Sequence, residues 1–575
     1  MPSVVRVRPD VAAVSRTFDY LVPELWRSSP GDFDLRVGGR VRVELHGRRV
    51  GGWITELDPD TPDGIELRPL KKWSGHGPSV DVIELADWAA RHWAGSPAKL
   101  LRTASPARNV YRLRGAKVER WHGDVEPWAA AAFEGSGSTQ LVAPAADRWP
   151  IVVAAAKFGN PLLLVPTLDA AAQLAGRVRR AGLHVALLPD DWDRAASGAV
   201  VIGTRAAAFG PVHELGAVVV FDEHDEIWRE ERTPTWHARD VAIERARRAG
   251  VPCVVVSPAP SIDAVRALPL REPDRAEQHA GWPGVVLVDR REEPPGRLGL
   301  FSDNLARSLR SQHRVACVLN RTGRVRLLAC TACGELTTCD VCGGPVRQVD
   351  DTSLTCARCG ASRPPVCSHC GSARLKNLVL GVARAREELA ALLGERVGEV
   401  TATGIEDDDA RVMIGTEALL RTTPPRGSRY RTIAFLDFDQ HLSAVRQSAE
   451  ADAMSLLCLA ARQVGTRRGG GRILVQTRMP EHRVLQAAVR GDTATLTAEL
   501  AEQAEAMSWP PAVAQAEVSG AGAEDFVAAL GRPLGLSVLG PRNDAWLIRS
   551  ADRELLVDEL ARVDRGEDRL RIALH

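Results

Sequence analysis

Ala217-Val-Val-Val-Phe-Asp-Glu-His-Asp225 decides how the middle of the chain is read. A continuous apolar run bounded by polar residues suits a strand covered on both faces, the habit of a parallel sheet flanked by helices. Pro161-Leu-Leu-Leu-Val-Pro166, His184-Val-Ala-Leu-Leu188, Ala199-Val-Val-Ile202 and Cys253-Val-Val-Val-Ser257 repeat the pattern between helical segments. Residues 140–282 are therefore expected to form one α/β lobe. A second run starts at Val285-Val-Leu-Val288 and passes Arg314-Val-Ala-Cys-Val-Leu-Asn320. After an interruption it resumes from Leu378 through Arg411-Val-Met-Ile-Gly415, Thr432-Ile-Ala-Phe-Leu-Asp437 and Arg472-Ile-Leu-Val-Gln-Thr477, giving a second lobe split over 283–328 and 372–505.

The interruption, 329–371, holds eight of the eleven cysteines as four pairs: Cys330/Cys333, Cys339/Cys342, Cys356/Cys359 and Cys367/Cys370. A two-residue spacer points both sulfurs of a pair at one ion, and two pairs complete a tetrahedral thiolate cage, so eight sulfurs imply two Zn²⁺. Disulfides are the competing explanation, but they belong to small secreted domains, and the N-terminus has no apolar signal core. Spacing leaves the pairing open. Neighbouring pairs can share an ion, or the inner four can nest with thirteen residues between their pairs, a zinc-ribbon spacing. Four thiolates leave no open coordination position, so the expected role is structural.

The flanks read differently. Residues 1–105 open with a β-rich module in which Val41, Val43 and Leu45 alternate with Arg42 and Glu44, and His46-Gly47 turns the chain into Val50–Ile54. Arg40, Arg42, Arg48 and Arg49 lie on or beside this hairpin and are the candidate DNA contacts. A helix is expected over Val82–Trp93 with Leu85, Trp88, Ala89 and Trp93 on one face. The Gly/Ser-containing stretch 106–139 reads as a linker with a short helix, and 506–575 as a compact α+β module with a strand at Ala545–Arg549 and a helix at Glu554–Val563.

Composition sets bounds without naming a function. A chain of 575 residues exceeds one hydrophobic core, so several domains are expected. No run approaches the length of a membrane span, which implies no membrane partner and a cytoplasmic location. The net charge of +1 neither favours nor excludes nucleic acid, which needs only a local basic patch. Cys253, Cys317 and Cys458 fall in apolar segments and read as core. His224 and His237 read as structural, and Glu406-Asp-Asp-Asp409 as a solvated turn.

Val201-Ile-Gly-Thr-Arg205 and Asp222-Glu-His-Asp225 in the first lobe, with Ile414-Gly-Thr416 and Gln463-Val-Gly465 in the second, resemble superfamily 2 helicase lobes. Phe18-Asp-Tyr-Leu-Val-Pro23, His237-Ala-Arg-Asp-Val-Ala242, Leu319-Asn-Arg321, the cysteine quartet, Gln476-Thr477 with Pro480-Glu-His482, and Val538-Leu-Gly-Pro541 resemble one family, PriA, the replication restart helicases. The resemblance implies two tandem RecA-like lobes, a two-zinc insertion in the second lobe, and an N-terminal module that binds a 3′ end at a fork. It also implies nested zinc sites, with Cys330, Cys333, Cys367 and Cys370 on one ion and Cys339, Cys342, Cys356 and Cys359 on the other. Implied partners are forked DNA and single-strand/duplex junctions, primosome proteins and single-strand-binding protein, with the chain a monomer. The family's winged helix would have to fit within 106–139, so it is reduced or absent.

The nucleotide site departs from the family. Its phosphate loop reads Leu141-Val-Ala-Pro-Ala-Ala-Asp-Arg-Trp-Pro150, without glycine, with Arg148 where the lysine falls and Trp149 where the threonine falls. An ungapped match puts Phe221 at the Mg²⁺-associated aspartate, while a one-residue slip restores Asp222 and Glu223. The coupling motif becomes Ser257-Pro-Ala-Pro-Ser261, Gly381-Val-Ala-Arg384 replaces Gly-Thr-Glu, and the finger motif keeps one candidate at Arg467 with Gly470 in the second place. Arg148 for nucleotide binding and Asp222, Glu223 and Arg467 for catalysis are thus vestigial candidates. The expectation is a fork-binding primosome scaffold without ATP-driven unwinding; the alternative is an active ATP- and Mg²⁺-dependent 3′-5′ DNA helicase with a divergent site. A zinc-ribbon regulator unrelated to replication is the reading from another class.

Overall fold

A computed structural model describes residues 2–575 except 13, 15, 29–32, 62–65, 293–299, 311–312, 320–327, 334, 342–345, 351, 357–358, 378–381, 402–403, 423–428, 543 and 567. Asn320, Arg321, Cys342, Leu378 and Gly381 of the expectations above lie outside the described residues.

The N-terminal strands are β1 (Val4–Pro9), β2 (Phe18–Leu21), β3 (Arg40–Leu45), β4 (Arg48–Leu57), β5 (Arg68–Pro69) and β6 (Lys72–Trp73), ordered β5-β2-β1-β4-β3-β6. Val41 and Val43 point inward as the alternation requires. His46 and Gly47 both take positive φ, 48° and 75°, the two-residue turn whose twist matches a hairpin. Only Leu70 and Lys71 separate β5 from β6; Leu70 N–H donates to Leu21 and Lys71 N–H to Arg42, so one bent segment joins both sheet edges into a barrel. The expected helix runs Val80–His92 with Leu85, Ala89 and Trp93 buried.

The first lobe has strands β7 (Gly137–Leu141), β8 (Asn160–Leu164), β9 (Val185–Leu187), β10 (Val200–Gly203), β11 (Leu215–Phe221), β12 (Cys253–Ser257) and β13 (Leu270–Arg271) in the order β13-β7-β12-β11-β8-β10-β9, all parallel. The expected boundary at 139/140 falls inside β7. Gly135-Ser-Gly-Ser-Thr139 reads as flexible by composition, but a Cβ on Gly137 would sit 1.9 Å from the Cys253 carbonyl, so the glycine permits strand contact rather than mobility. Ser138 and Thr139 are buried, and their hydroxyls donate to the carbonyls of Ala132 (2.9 Å) and Ala264 (2.8 Å). Ala129, Ala132 and Phe133, also within the expected linker, pack into this lobe's core.

The second lobe comprises β14 (Gly284–Asp289) and β15 (Val315–Val318), then the insertion strands β16 (Leu328–Cys330), β17 (Val346–Asp350), β18 (Ser353–Cys356), β19 (Ser362–Arg363) and β20 (Leu375–Asn377). It continues with β21 (Val397–Thr401), β22 (Gly404–Glu406), β23 (Val412–Gly415), β24 (Thr432–Phe435) and β25 (Arg472–Thr477), in the order β14-β25-β24-β15-β23-β21-β22. The C-terminal strands β26 (Ala514–Ser519), β27 (Ser537–Arg542), β28 (Ala545–Ser550) and β29 (Arg571–Leu574) form an antiparallel sheet under the expected helix, here Arg553–Arg562. This module does not stand apart. Phe526, Ile548, Leu556 and Leu560 share one continuous core with Val82, Leu85 and Leu101 of the N-terminal helices and Val218 and Val220 of the first lobe.

Just after β24, burial and the neighbouring Asp439 carboxyl push the Asp437 carboxyl up to about 7, with only partial relief from Gln440, whose amide donates to it. A carboxyl protonated in the fold but ionised in the unfolded chain makes stability fall as pH rises from about 4 to about 7. Asp437→Asn should remove a cost on the order of a few kcal/mol at neutral pH. Thermal melts check this: the variant should melt above wild type near pH 7.5 and converge with it only below about pH 4.

Candidate functional site

The cysteine insertion presents its described thiols from short turns and strand ends. Cys330 ends β16 and Cys333 follows in its turn, while β20 pairs antiparallel with β16 and brings the Cys367–Cys370 turn alongside. Backbone N–H groups of Ala332, Val341 and Cys359 donate to Cys330, Cys339 and Cys356 Sγ at 3.4 Å, the geometry of a thiolate-presenting knuckle. Cys330 Sγ lies 3.5 Å from Cys370 Sγ, Cys333 Sγ 3.6 Å from Cys367 Sγ, and all four fall within 4.8 Å of one another. Zinc–sulfur bonds of about 2.3 Å in a tetrahedron place sulfurs about 3.8 Å apart, whereas a disulfide needs about 2.05 Å. The donor set therefore fits a zinc ion and not a bridge. Cys339, Cys356 and Cys359 form a second cluster, with Cys339 Sγ 3.6 Å from Cys359 Sγ. The first cysteine pair thus meets the fourth, the nested arrangement rather than the sequential one. Zinc held this way would tie turns together and offer no position to substrate. Cys253 and Cys317 are enclosed in β12 and β15, and burial pushes both thiols up to about 12, which leaves them inert.

The second candidate site is the cleft between the lobes. The loop after β7 leads through Arg148 into the helix Trp149–Ala156, as a phosphate loop would. Its atoms are committed elsewhere. Arg148, with 10% of its side chain exposed, places Nη1 2.5 Å from Oδ1 of Asp222, which is 2% exposed. Arg462, on the second-lobe helix Ala449–Val464, pairs with Oδ2 of the same carboxylate. Burial alone would raise the Asp222 carboxyl, but the Arg148 and Arg462 guanidiniums hold it well below the usual carboxylate range. Asp147 accepts two hydrogen bonds from Arg177 at 2.7 Å, and that guanidinium lies 4.6 Å from the Trp149 ring centroid.

Glu223 is equally engaged. It accepts from Arg239 Nη1 (2.7 Å), Ser261 Oγ (2.5 Å) and Ser261 N (3.1 Å), and its side chain is 1% exposed. Asp225 accepts from Arg421 of the second lobe, while Thr493 and Thr497 hydroxyls donate to Pro258 (2.7 Å) and Pro260 (2.8 Å) of the first. The lobes are thus closed on each other by the protein's own groups. With both carboxylate oxygens of Asp222 paired and no glycine in the loop, these residues do not fit an Mg²⁺–nucleotide without rearrangement.

Sequence reasoning places Arg467 in the cleft; it sits instead in the exposed turn after the helix, and Arg462, five residues earlier, reaches Asp222. Helical phase was the available signal, because Arg462 is still on the helix and Arg467 is beyond its end. His237 caps the helix Ala238–Ala249 by accepting from Arg239 N–H, which requires a neutral ring, and burial lowers its pKa accordingly. On the N-terminal hairpin Arg42, Arg48 and Arg49 are exposed. Arg40 differs: it is half-buried and donates to the Pro106 carbonyl (2.9 Å), a contact that pins the module to the following segment. Glu406, Asp407 and Asp409 form exposed ion pairs with Arg386 and Arg396, in keeping with a solvated turn.

Residues 5–106 match the family model of the PriA 3'DNA-binding domain (3'BD). Over 570 residues the chain is 29% identical to the probable replication restart protein PriA of Mycobacterium tuberculosis, across 89% of this chain and 85% of that one. Replication restart protein PriA of Haemophilus influenzae is 25% identical over 69% of this chain and 58% of its own, and that of Bacillus subtilis 25% over 66% and 51%. A solved DEAD box protein of Methanococcus jannaschii overlays at a TM-score of 0.31 and 9% identity, over 65% of this chain and 97% of that one, too loosely to bear on the assignment. With the 3'DNA-binding match at one end and relatives named replication restart protein PriA along most of its length, the chain is similar to the PriA replication restart proteins.

Proposed function

We propose that this protein binds forked DNA at the nucleoid and scaffolds primosome assembly without ATP-driven unwinding. The observation that carries the reading is the Arg148–Asp222–Arg462 clasp, which occupies the place of nucleotide phosphate and metal with protein charge. Helicase lobes convert hydrolysis into motion by closing on nucleotide and reopening. Lobes that close on an internal carboxylate have no such cycle to drive. DNA binding is supported by the 3'DNA-binding module, with Arg42, Arg48 and Arg49 as contacts, and partner recruitment by the zinc-fitted insertion. No helix among the described residues is long and apolar enough to cross a membrane.

The test is hydrolysis by the purified chain with and without forked DNA. No DNA-stimulated ATP turnover is expected alongside fork binding that weakens steeply with salt as counterions are released. Turnover that vanishes in Asp222→Ala would overturn the reading. One observation favours the alternative of a divergent working site. Nε and Nη2 of buried Arg148 have no acceptor among the described residues, and a cavity of about 260 Å³ beside them is lined by Arg177, Gln173 and Arg462. Tight, Mg²⁺-dependent nucleotide binding in a titration would select that alternative.

A further inference from the structure

We infer that the N-terminal barrel carries a base-stacking site for a single DNA strand, built from Trp26, Phe33, Trp73 and Tyr111 and rimmed by Lys71, Lys72 and Arg112. The inference deepens the DNA-binding reading above and rests on it. These residues line a cavity of about 540 Å³ on the β6 side of the barrel. Trp26 and Phe33 stack with centroids 5.0 Å apart and planes 12° from parallel. Phe33 meets the Trp73 edge at 5.9 Å, and Trp73 meets Tyr111 at 5.4 Å, so four rings form a continuous aromatic chain.

Packing does not account for all of it. Trp73 belongs to the barrel core at 8% exposure, but the Tyr111 ring is 45% exposed and Trp26 only half-buried. Tyr111 and Arg112 lie beyond the 5–106 match and are brought to the barrel by a bridge between His76 and Val110, whose carbonyl accepts from His76 N–H at 2.7 Å. The basic rim is available: Lys72 and Arg112 have no acidic partner among the described residues, and Lys71 has only a surface contact to Glu44 at 3.3 Å. Flat apolar faces beside unpaired cations suit a ligand with alternating rings and phosphates. Aromatic stacking supplies sequence-tolerant affinity for single strands, and lysines track the backbone. Asp34 at the rim disfavours an acidic peptide and can accept a hydrogen bond from the exocyclic amine of a base.

The experiment uses the full-length chain and a fluorescein-labelled single-stranded oligodeoxynucleotide carrying 5-bromouracil. Ultraviolet crosslinks mapped by mass spectrometry are expected at Trp26 or Tyr111. Tyr111→Ala should weaken single-strand binding about fivefold or more, and Tyr111→Phe should restore it because stacking needs the ring and not the hydroxyl. Lys72→Ala should shallow the salt dependence by about 0.7 of a logarithmic slope unit. Crosslinks confined to other residues, with Tyr111→Ala binding like wild type, would sink the site while leaving fork binding intact. Wild-type protein that binds neither fork nor single strand would overturn both readings. An acidic peptide that occupies the cavity with no DNA crosslink would reassign it to a protein partner and likewise overturn the inference.

Discussion

Cys367→Ser should lower the zinc content from two ions per chain to about one and open the 329–371 insertion to protease, with the two lobes still folded. The size of the effect follows from how little else holds the insertion together. Its buried cluster is Leu328, Cys339, Val346, Leu354 and Cys356, so two of its five members are themselves thiols of the second site. Such a cluster is too small to order the insertion by burial alone, and structural zinc supplies folding free energy outright in small domains. Losing one thiolate of four leaves a three-sulfur site that binds more weakly and admits water. The lobes should survive because, among the described residues, the β16–β20 pair at the base of the insertion lies outside the cores around Val315 and Ile433. Metal analysis and limited proteolysis decide it. Two retained zincs and an unchanged digestion pattern would show that the Cys330–Cys333–Cys367–Cys370 cluster holds no essential ion.

How much of this was readable in advance depended on whether the signal was local. Strands β8, β11 and β12 announce themselves because an apolar run covered on both faces looks the same in sequence as in space. The cysteine pairs do so because the knuckle is a four-residue motif. β7 was hidden, since Gly137, Ser138 and Thr139 look like a loop until the Cys253 carbonyl and the acceptors of their hydroxyls are in place. The docking of the C-terminal sheet on the N-terminal helices was likewise illegible: Leu560 and Leu101 are separated by hundreds of residues and meet only in the folded core. Nor does any spacing rule connect Arg462 to Asp222, because that contact joins two lobes. The loss of the phosphate loop could be read from its missing glycines; what replaced it could not.

Asp222→Ala should destabilise the first lobe by about 3–5 kcal/mol, the usual consequence of removing one member of a buried ion pair and stranding the other. The asymmetry of exposure sets the order of effects. Arg148 is 10% exposed and would be left charged inside the lobe, whereas Arg462 is 46% exposed and can turn to solvent, so Arg462→Ala should cost about 1 kcal/mol or less. Replacing both buried partners, Arg148→Met with Asp222→Leu, should recover most of the loss, since an apolar pair of similar volume avoids desolvating two charges. Amide exchange across β7, β11 and β12 reports this lobe without assuming that the whole chain unfolds in one step. Because the Asp222 carboxyl is held below its ordinary value, the clasp contributes fully above about pH 4 and is lost only as pH falls below it, so neutral conditions test it intact. The double variant also separates structure from chemistry. If the Asp222 carboxylate holds Mg²⁺ in a working ATPase, turnover disappears in every variant lacking it, whatever the stability of that variant. A carboxylate that serves only to hold the lobes together can be replaced, and fork affinity in the double variant should then match wild type once the lobe is stable again. Weakened fork binding despite restored exchange protection would mean that the charges at Arg148 and Asp222 act on a ligand rather than on each other.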